Sequence, residues 1–330
     1  MTLPLPSAMA RGMDNLTHSL VGAMIGQAGL KQKTGLAMPA LIIGANLPDV
    51  DAACFFWLEG TEHLGFRRGI THGPIALTVL PVILAGLLWG FDRWQARRGK
   101  RPESRPTVRF GWLYALSLIG CLTHPALDWL NVYGIRLLEP FSSRWFYGDT
   151  LFIIDVWLWA LLIGSLWWSR RREKRGGDWI RPAKLGLAAS LVYIAVNGAI
   201  TGFDYRIGGT MREPYPDRFI SSPVPFAFWR REEIAQIYTG RWISSDWEGR
   251  EFGYGYNHSR IDQCVLPDFS EARQANSQLD AFLVWSRAPF AERAGDGSII
   301  LRDARFYDPR ARDRFSVPLP EFACEELPND

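Results

Sequence analysis

The chain has 330 residues, a mass of 37.4 kDa, 48% apolar residues, four cysteines and a formal net charge of +3. These values exclude a disordered polyelectrolyte, a strongly basic nucleic-acid-binding protein and a disulfide-rich scaffold. The apolar residues are concentrated in 13–202 as uninterrupted runs, whereas 203–330 has the composition of a water-soluble domain. The average composition therefore conceals a membrane protein.

Two apolar segments near the N-terminus are interrupted by polar residues. Residues 14–30 carry His18 near their start, and residues 36–58 are broken by the sequence PDVD at 48–51. Polar backbone and ionisable groups are tolerated at membrane depth only where protein or water surrounds them. We therefore expect each segment to form a half-spanning, tilted or re-entrant helix.

Four later runs have the length and composition of membrane-spanning helices. Each holds at most one histidine or aspartate and no other Asp, Glu, Lys, Arg or His, and the four runs are 74–91, 110–127, 151–168 and 185–203. At 1.5 Å per residue such a helix is about 27–29 Å long, close to the hydrocarbon thickness of about 30 Å. The alternative, four buried helices of a large soluble protein, would require four such runs in series.

The distribution of basic residues predicts the orientation of these helices. Residues 92–109 and 169–184 carry seven Lys or Arg each, whereas 59–73 and 129–150 carry two each. The positive-inside rule places the two basic loops in the cytoplasm. Residues 204–330 then follow the last span on the opposite side and are expected to be extracytoplasmic.

The C-terminal segment has the signals of a small β-rich domain. Strands are predicted over 281–286 and 298–307, separated by the turn sequence Gly295-Asp296-Gly297. Such a domain either caps a site and presents substrate or merely stabilises the protein. Its composition favours neither role.

Cys264 and Cys324 are the cysteines of this C-terminal segment. In an oxidising compartment they could form one disulfide that closes a loop of about 60 residues, and the alternative is two independent thiols. Cys54 and Cys121 lie in or beside apolar segments, so we expect them to be inert packing residues.

Histidines and carboxylates lie near the helix ends that the topology places outside. Three of the five histidines, His18, His72 and His124, directly follow a threonine, whose hydroxyl can cap a helix or hold an imidazole in one tautomer. His124 and Asp128 are four residues apart, so they share one helix face and can share a metal. The fifth histidine in chain order, His258, is expected to be a surface residue.

Further aspartates accompany these histidines. Pro48 favours an extended chain, in which Asp49 and Asp51 would point to the same side. Asp149 and Asp155 lie at the start of the third long run. An ionisable group at bilayer depth is costly unless it is paired or faces a wet cavity.

The predicted topology brings these residues to one membrane face. Three imidazoles and two or three carboxylates suit one or two divalent ions, with zinc first and manganese or iron as alternatives. Taken singly, each histidine is more often a structural residue than a ligand, and it is the convergent group that indicates a metal site. Arg67 and Arg68 could bind a phosphate through their forked guanidinium groups or contact lipid headgroups.

Such a centre would serve hydrolytic chemistry. A metal with an open position makes hydroxide available near neutral pH and polarises a carbonyl or phosphoryl oxygen. The sequence has no G-x-S-x-G, P-loop, dinucleotide-binding or H-E-x-x-H motif. A transporter is expected to have carboxylates at mid-bilayer on several helices, whereas here the carboxylates cluster at one end of the helices. This favours an enzyme over a transporter.

Several motifs resemble one family of bacterial inner-membrane proteins. They are similar to motifs of the metal-dependent hydrolases of the YdjM or LexA-binding type, which distantly resemble zinc-dependent phospholipase C. The motifs are MDNLTHSLVGAMIG, GANLPDVD, RRGITHGP and THPALDWLNVYGIRLLEPFSSRWFYGDTLFIIDVW. The resemblance covers about 13–170, and short stretches of the C-terminal segment resemble the tail of longer members. It implies an inner-membrane location, hydrolase activity, Asp51 and Asp155 as candidate catalytic residues, and the metal ligands His18, Asp49, His72, His124 and Asp128.

The sequence thus predicts a polytopic α-helical membrane protein with a C-terminal extracytoplasmic β-rich (α+β) domain. We divide it into a tail (1–12, with Met13 as a candidate start), a helical membrane domain with the metal site (13–203) and the outer domain (204–330). The expected function is hydrolysis of a phosphoester or lipid-linked substrate at the outer face of the inner membrane, without nucleic acid. The alternative is a non-enzymatic protein, either a divalent-metal transporter or an assembly factor with a structural metal. The substrate and the oligomeric state stay open.

Overall fold

The structure, a computed structural model, describes residues 14–211, 219–224, 226–237, 239–245, 261–307 and 311–328. These residues form two compact units. The first unit contains residues 14–51, 68–198 and 226–228, and the second contains the described parts of 52–67, 199–224 and 229–328. The second unit includes residues 52–67, which the predicted division at 203/204 does not anticipate. The predicted tail, 1–12, lies outside the described residues.

Nine α-helices are found in the described part of the chain. In order they are α1 (Asp14–Gln27), α2 (Ala37–Gly44), α3 (Glu62–Phe66), α4 (Pro74–Arg97), α5 (Phe110–Trp129), α6 (Val156–Lys174), α7 (Ile180–Met211), α8 (Ala272–Ala275) and α9 (Ser277–Trp285). Two 3₁₀ helices, Leu47–Phe56 and Ile70–His72, precede α3 and α4.

The membrane-spanning prediction is confirmed for three of the four long runs. Within the described residues, Pro74–Arg97, Phe110–Trp129 and Ile180–Ile207 are long and apolar enough to cross a membrane. Helix α2 and the 3₁₀ helix Leu47–Phe56 form a fourth candidate if they are one broken span, because they meet at a bend of 51°. This bend agrees with the expected broken or re-entrant segment.

The predicted span 151–168 is wrong in its bounds. Helix α6 begins at Val156, because the carboxylate of Asp155 accepts hydrogen bonds from the backbone N–H groups of Trp157 and Leu158 at 3.1 Å and 2.9 Å. The helix then continues into the basic run that starts at Arg170. Its apolar part is therefore shorter than predicted, and α6 is not among the helices that satisfy the length and composition of a span.

The first unit is held together by two buried apolar clusters. One joins α1, α6 and α7 through Leu20, Met24, Leu158, Leu162 and Ala183. The other joins α2, α4 and α5 through Ala40, Leu41, Ala85, Leu113 and Leu116.

Glycine allows the backbones of three helices of the first unit to approach closely. A Cβ atom added at Gly22 of α1 or at Gly120 of α5 would lie 2.7 Å from the carbonyl oxygen of Leu41 on α2. Helix α2 thus packs between α1 and α5, and each of these helices contacts it at a glycine.

The basic segments lie together at one end of this unit. The ammonium group of Lys31, just after α1, forms an ion pair with Glu173 near the end of α6 and lies 4.0 Å from the ring centroid of Trp179. The N–H of Gly35 donates to the carbonyl of Thr107, in the loop between α4 and α5, at 3.3 Å. The residues predicted to bind metal are at the opposite ends of α1, α4 and α5.

Two β-sheets are found among the described residues of the C-terminal region. The first sheet has the order β1 (Phe219–Val224), β2 (Ala227–Gln236) and β3 (Trp242–Ser244), and the second has the order β4 (Gln263–Cys264), β5 (Pro289–Arg293), β6 (Ser298–Asp303) and β7 (Ser316–Ala323). Ala291 of β5 pairs with Leu301 of β6, and Leu301 pairs with Val317 of β7. This confirms a sheet-rich C-terminal region.

The predicted strand 281–286 is wrong, because residues 281–285 belong to helix α9 and Ser286 caps its end. The side chain of Asn276 caps that helix by accepting from the N–H of Leu279 at 3.1 Å. Leu279, Phe282 and Trp285 are spaced three residues apart and are fully buried, which is a helical periodicity. The predicted strand 298–307 is confirmed only as far as Asp303, after which a 3₁₀ turn begins.

The predicted disulfide is confirmed. Cys264 on β4 and Cys324, just after β7, are bonded, with their Cα atoms 5.3 Å apart. Cys54 and Cys121 are buried and not disulfide-bonded, which agrees with the predicted packing role.

Candidate metal centre

Four elements of the first unit carry the predicted ligands. His18 is in the first turns of α1, Asp49 is in the 3₁₀ helix Leu47–Phe56, and His72 ends the 3₁₀ turn before α4. His124 and Asp128 occupy the last two turns of α5. His18, His72, His124 and Asp128 are each at most 1% exposed. The five residues predicted from the sequence are therefore brought together.

The distances between these side chains suit a shared ion. Asp128 Oδ2 lies 3.5 Å from Nε2 of both His72 and His124, and Asp49 Oδ1 lies 4.0 Å and 3.7 Å from the same two nitrogens. These distances exceed those of normal hydrogen bonds, about 2.7–3.2 Å. Two ligands bound at about 2.0–2.2 Å to one tetrahedral ion are about 3.3–3.6 Å apart. The side chains thus fit a divalent ion better than they fit one another.

The hydrogen bond of His124 fixes which nitrogen faces the cluster. Its Nδ1 lies 2.7 Å from the carbonyl oxygen of Ala45, at the end of α2. A carbonyl only accepts hydrogen bonds, so Nδ1 carries the proton and Nε2 of the neutral ring keeps a lone pair. This arrangement is typical of metal-binding histidines.

His72 is oriented by its neighbour Thr71. The Thr71 hydroxyl lies 3.0 Å from His72 Nδ1 and donates to Asp51 Oδ2 at 3.2 Å. Because the hydroxyl hydrogen points to Asp51, its oxygen is available to accept from Nδ1–H, which leaves Nε2 for the cluster. Burial lowers the pKa of His72, which favours the neutral, metal-binding form of the ring.

The three threonines that precede histidines have three different roles. Thr71 orients His72, as predicted. Thr17 Oγ1 accepts from the indole N–H of Trp159 at 2.8 Å, and Thr123 Oγ1 donates to the carbonyl of Gly120 at 2.7 Å. The three Thr-His pairs therefore share the location of their histidines in one cluster, but not the role of their threonines.

Asp51 and Asp49 lie on different sides of His72. The expected extended chain is wrong, because residues 47–56 form a 3₁₀ helix in which residues two apart diverge. Asp51 Oδ2 is 3.6 Å from His72 Nδ1, behind the ring, whereas Asp49 Oδ1 is on the Nε2 side. Asp51 is thus placed to orient His72, and its catalytic role stays a prediction.

Arg68 and Asn131 are parts of the site whose roles the sequence did not predict. Arg68 is 3% exposed, its Nε lies 3.1 Å from Asp128 Oδ2, and its Nη1 donates to Asn131 Oδ1 at 3.0 Å. Its backbone N–H donates to Asp51 Oδ2 at 2.8 Å. These contacts and the burial of Arg68 place it among the ligands rather than at lipid headgroups, and its phosphate-binding role stays a prediction. Its proximity to His72 in sequence was the available signal.

His18 lies at one side of the cluster, next to a small cavity. Its ring stacks on that of His124, with centroids 3.8 Å apart, and its Nε2 is 3.4 Å from Asp128 Oδ1. The cavity has a volume of about 20 Å³ and is lined by residues that include Thr17, His18, Asp128, Asn131 and Asp155. This is room for roughly one water molecule.

Asp155 lines this cavity while it caps α6. Both of its carboxylate oxygens accept from the hydroxyl of Tyr193 at 2.9 Å. Its predicted catalytic role stays a prediction. Among the described residues, two groups of side chains could hold a metal ion, namely Asp49-His72-His124 and His18-His124-Asp128. Asp149 is buried and belongs to neither group. His258 lies outside the described residues.

Comparison with known proteins identifies the family. The family model described as YdjM inner membrane protein matches residues 13–203, a range that includes every predicted ligand. Inner membrane protein YbcI of Escherichia coli (strain K12) is 27% identical over 183 residues, a match that covers 47% of this chain and 98% of YbcI. No solved structure matches the chain. Since the family match covers more than half of its length, the chain belongs to the YdjM inner membrane protein family and is a helical protein of the inner membrane.

Proposed function

We propose that this protein is a membrane-bound, metal-dependent hydrolase of a phosphoester or lipid-linked substrate. The observation that carries the proposal is the set of two imidazoles and two carboxylates whose facing nitrogen and oxygen atoms lie 3.5–4.0 Å from one another, beside a water-sized cavity. Asp49, His72, His124 and Asp128 would hold the ion. A mixed nitrogen and oxygen ligand set suits zinc first, with manganese or iron as alternatives.

When bound, a divalent ion there supplies a Lewis acid and lowers the pKa of water towards neutrality. The protein's own residues orient the ligands of the ion. Ala45 and Thr71 fix the tautomers of His124 and His72, and Arg68 holds the carboxylate of Asp128 in place. Burial keeps bulk water away from the ligands, which strengthens every electrostatic interaction within the centre.

We further propose that the centre and the C-terminal domain face the periplasm. The basic segments lie at the opposite end of the helices from the centre, and positive charge favours the cytoplasmic side. The Cys264–Cys324 disulfide supports the same orientation, because such bonds persist in oxidising compartments.

A structural metal site is the second candidate. His72 and His124 are 0% exposed, which is the burial expected of an ion that only stabilises the fold. In that case removal of the ion would lower stability, and no hydrolysis would be detected in any variant.

The two candidates are separated by metal analysis and a hydrolysis screen on full-length protein purified in detergent. We expect bound zinc and hydrolysis of phospholipid or phosphoester substrates in the wild type. His124→Ala and Asp128→Asn should each lose the ion and at least about 100-fold in rate, because each removes a direct ligand. His63→Ala, at a histidine outside both ligand groups, is the control. Full metal occupancy in both ligand variants would show that the assignment is wrong.

A further inference from the structure

We propose that the centre binds two divalent ions bridged by the carboxylate of Asp128, with His18 as a ligand of the second ion. This inference rests on the proposed metal-dependent function and sets the number of ions in the same site. The potential ligands among the described residues fall into two groups, Asp49-His72-His124 and His18-His124-Asp128, each with its atoms within 4.8 Å of one another.

The residue that the two groups share, His124, can serve only one ion. Its Nδ1 donates to the carbonyl of Ala45, so Nε2 offers its single lone pair. Nε2 faces Asp49 Oδ1 at 3.7 Å and Asp128 Oδ2 at 3.5 Å, which assigns His124 to the ion held with Asp49 and His72. We therefore assign His18 to a second ion.

Asp128 has the geometry of a bridge between two ions. Its Oδ2 lies 3.5 Å from Nε2 of both His72 and His124, whereas its Oδ1 lies 3.4 Å from Nε2 of His18. Oδ2 thus faces two imidazoles and Oδ1 a third, each at about the separation of two ligands on one ion. The ions of two-metal hydrolases are about 3.5–4 Å apart, a separation that one bridging carboxylate can span.

The cavity and the charge of the site accommodate a second ion. The cavity of about 20 Å³ opens beside His18 and Asp128, so this ion would keep a position for water. The carboxylates of Asp49, Asp51, Asp128 and Asp155 carry four formal negative charges, and Arg68 carries one positive charge. One divalent ion leaves a formal charge of about −1 and two ions leave about +1, which favours an anionic phosphoester as the substrate.

The ion count tests this proposal without any substrate. Full-length protein in detergent is stripped with a chelator, titrated with Zn²⁺, desalted and analysed for zinc per chain. We expect two ions in the wild type and in the His63→Ala control, and one in His18→Ala and His18→Gln. With Mn²⁺ in place of Zn²⁺, the wild type should give the exchange-coupled EPR spectrum of an ion pair and the His18 variants the spectrum of a single ion.

A single ion in the saturated wild type would overturn the proposal while leaving the hydrolase assignment standing. Two ions in the His18 variants would overturn the role of His18. Loss of both ions in His18→Ala and His18→Gln would make His18 a ligand of one shared ion and would also overturn the proposal. No ion in the wild type would contradict the proposed function itself.

Discussion

Replacement of Gly120 by alanine tests whether close helix packing holds the ligands in place. The added methyl group would lie 2.7 Å from the Leu41 carbonyl oxygen and 2.9 Å from the backbone nitrogen of Ala45. Ordinary van der Waals contact begins at about 3.4 Å, so α2 and α5 must separate by roughly 0.7 Å, and close-packed interiors resist such shifts. The same movement would lengthen the 2.7 Å hydrogen bond from His124 to Ala45 to about 3.4 Å, beyond normal hydrogen-bond length.

The expected effect has two parts. Overpacking should lower the free energy of unfolding by about 1–3 kcal/mol. Loss of the partner that orients a ligand should weaken metal binding by about 10–100-fold. Gly86→Ala is the matched control, because it lies on α4 with no atom within 4 Å of the added Cβ, and alanine is the better helix former.

Both effects are measured on detergent-purified protein. Thermal unfolding followed by tryptophan fluorescence reports stability, and competition for Zn²⁺ with a chromogenic chelator reports affinity. We expect Gly120→Ala to fall below the wild type in both measurements, and Gly86→Ala to match the wild type in zinc affinity and to match or exceed it in stability. Equal stability and zinc affinity in the two variants would refute the argument that the contact between α2 and α5 fixes His124.

Two further predictions concern topology and oxidation state. Reporter fusions after Lys100 and after Arg175 should give a cytoplasmic signal and a fusion after Phe269 a periplasmic one, because the basic loops favour the cytoplasm. A cytoplasmic signal at Phe269 would reverse the proposed orientation. Non-reducing mass spectrometry of protein isolated from membranes should find Cys264 linked to Cys324, since the structure joins them. Alkylation of both thiols without prior reduction would contradict the disulfide.

The composition of the site was predictable from the sequence because helix ends and topology determine it. His72 precedes an apolar run, His124 and Asp128 end one, and the basic loops set which ends meet. The orientation of individual side chains was not predictable. Arg68 has a left-handed backbone, with φ of 54°, and this conformation does not follow from residue spacing.

The errors in the predicted elements have a common physical origin. Short apolar runs such as 281–286 are compatible with a buried strand or a buried helix, and length alone did not distinguish them. The capping residues indicate where these helices begin. Asn276 precedes α9 and Asp155 precedes α6, and each accepts hydrogen bonds from the first turn of its helix. A search for caps would have predicted the start of both helices.

Removal of the C-terminal domain would affect the candidate metal centre through the segment 52–67. In the second unit, Thr61 donates to the carbonyl of Gln278 at 2.9 Å, and a Cβ added at Gly65 would lie 3.0 Å from that of Ala281 on α9. The two ends of this stretch continue into Asp51 and Arg68, which both contact the ligand set. A shortened chain that ends at residue 203 would keep every predicted ligand. It would, however, lose the residues of α9 that pack against 52–67, the segment that connects Asp51 to Arg68.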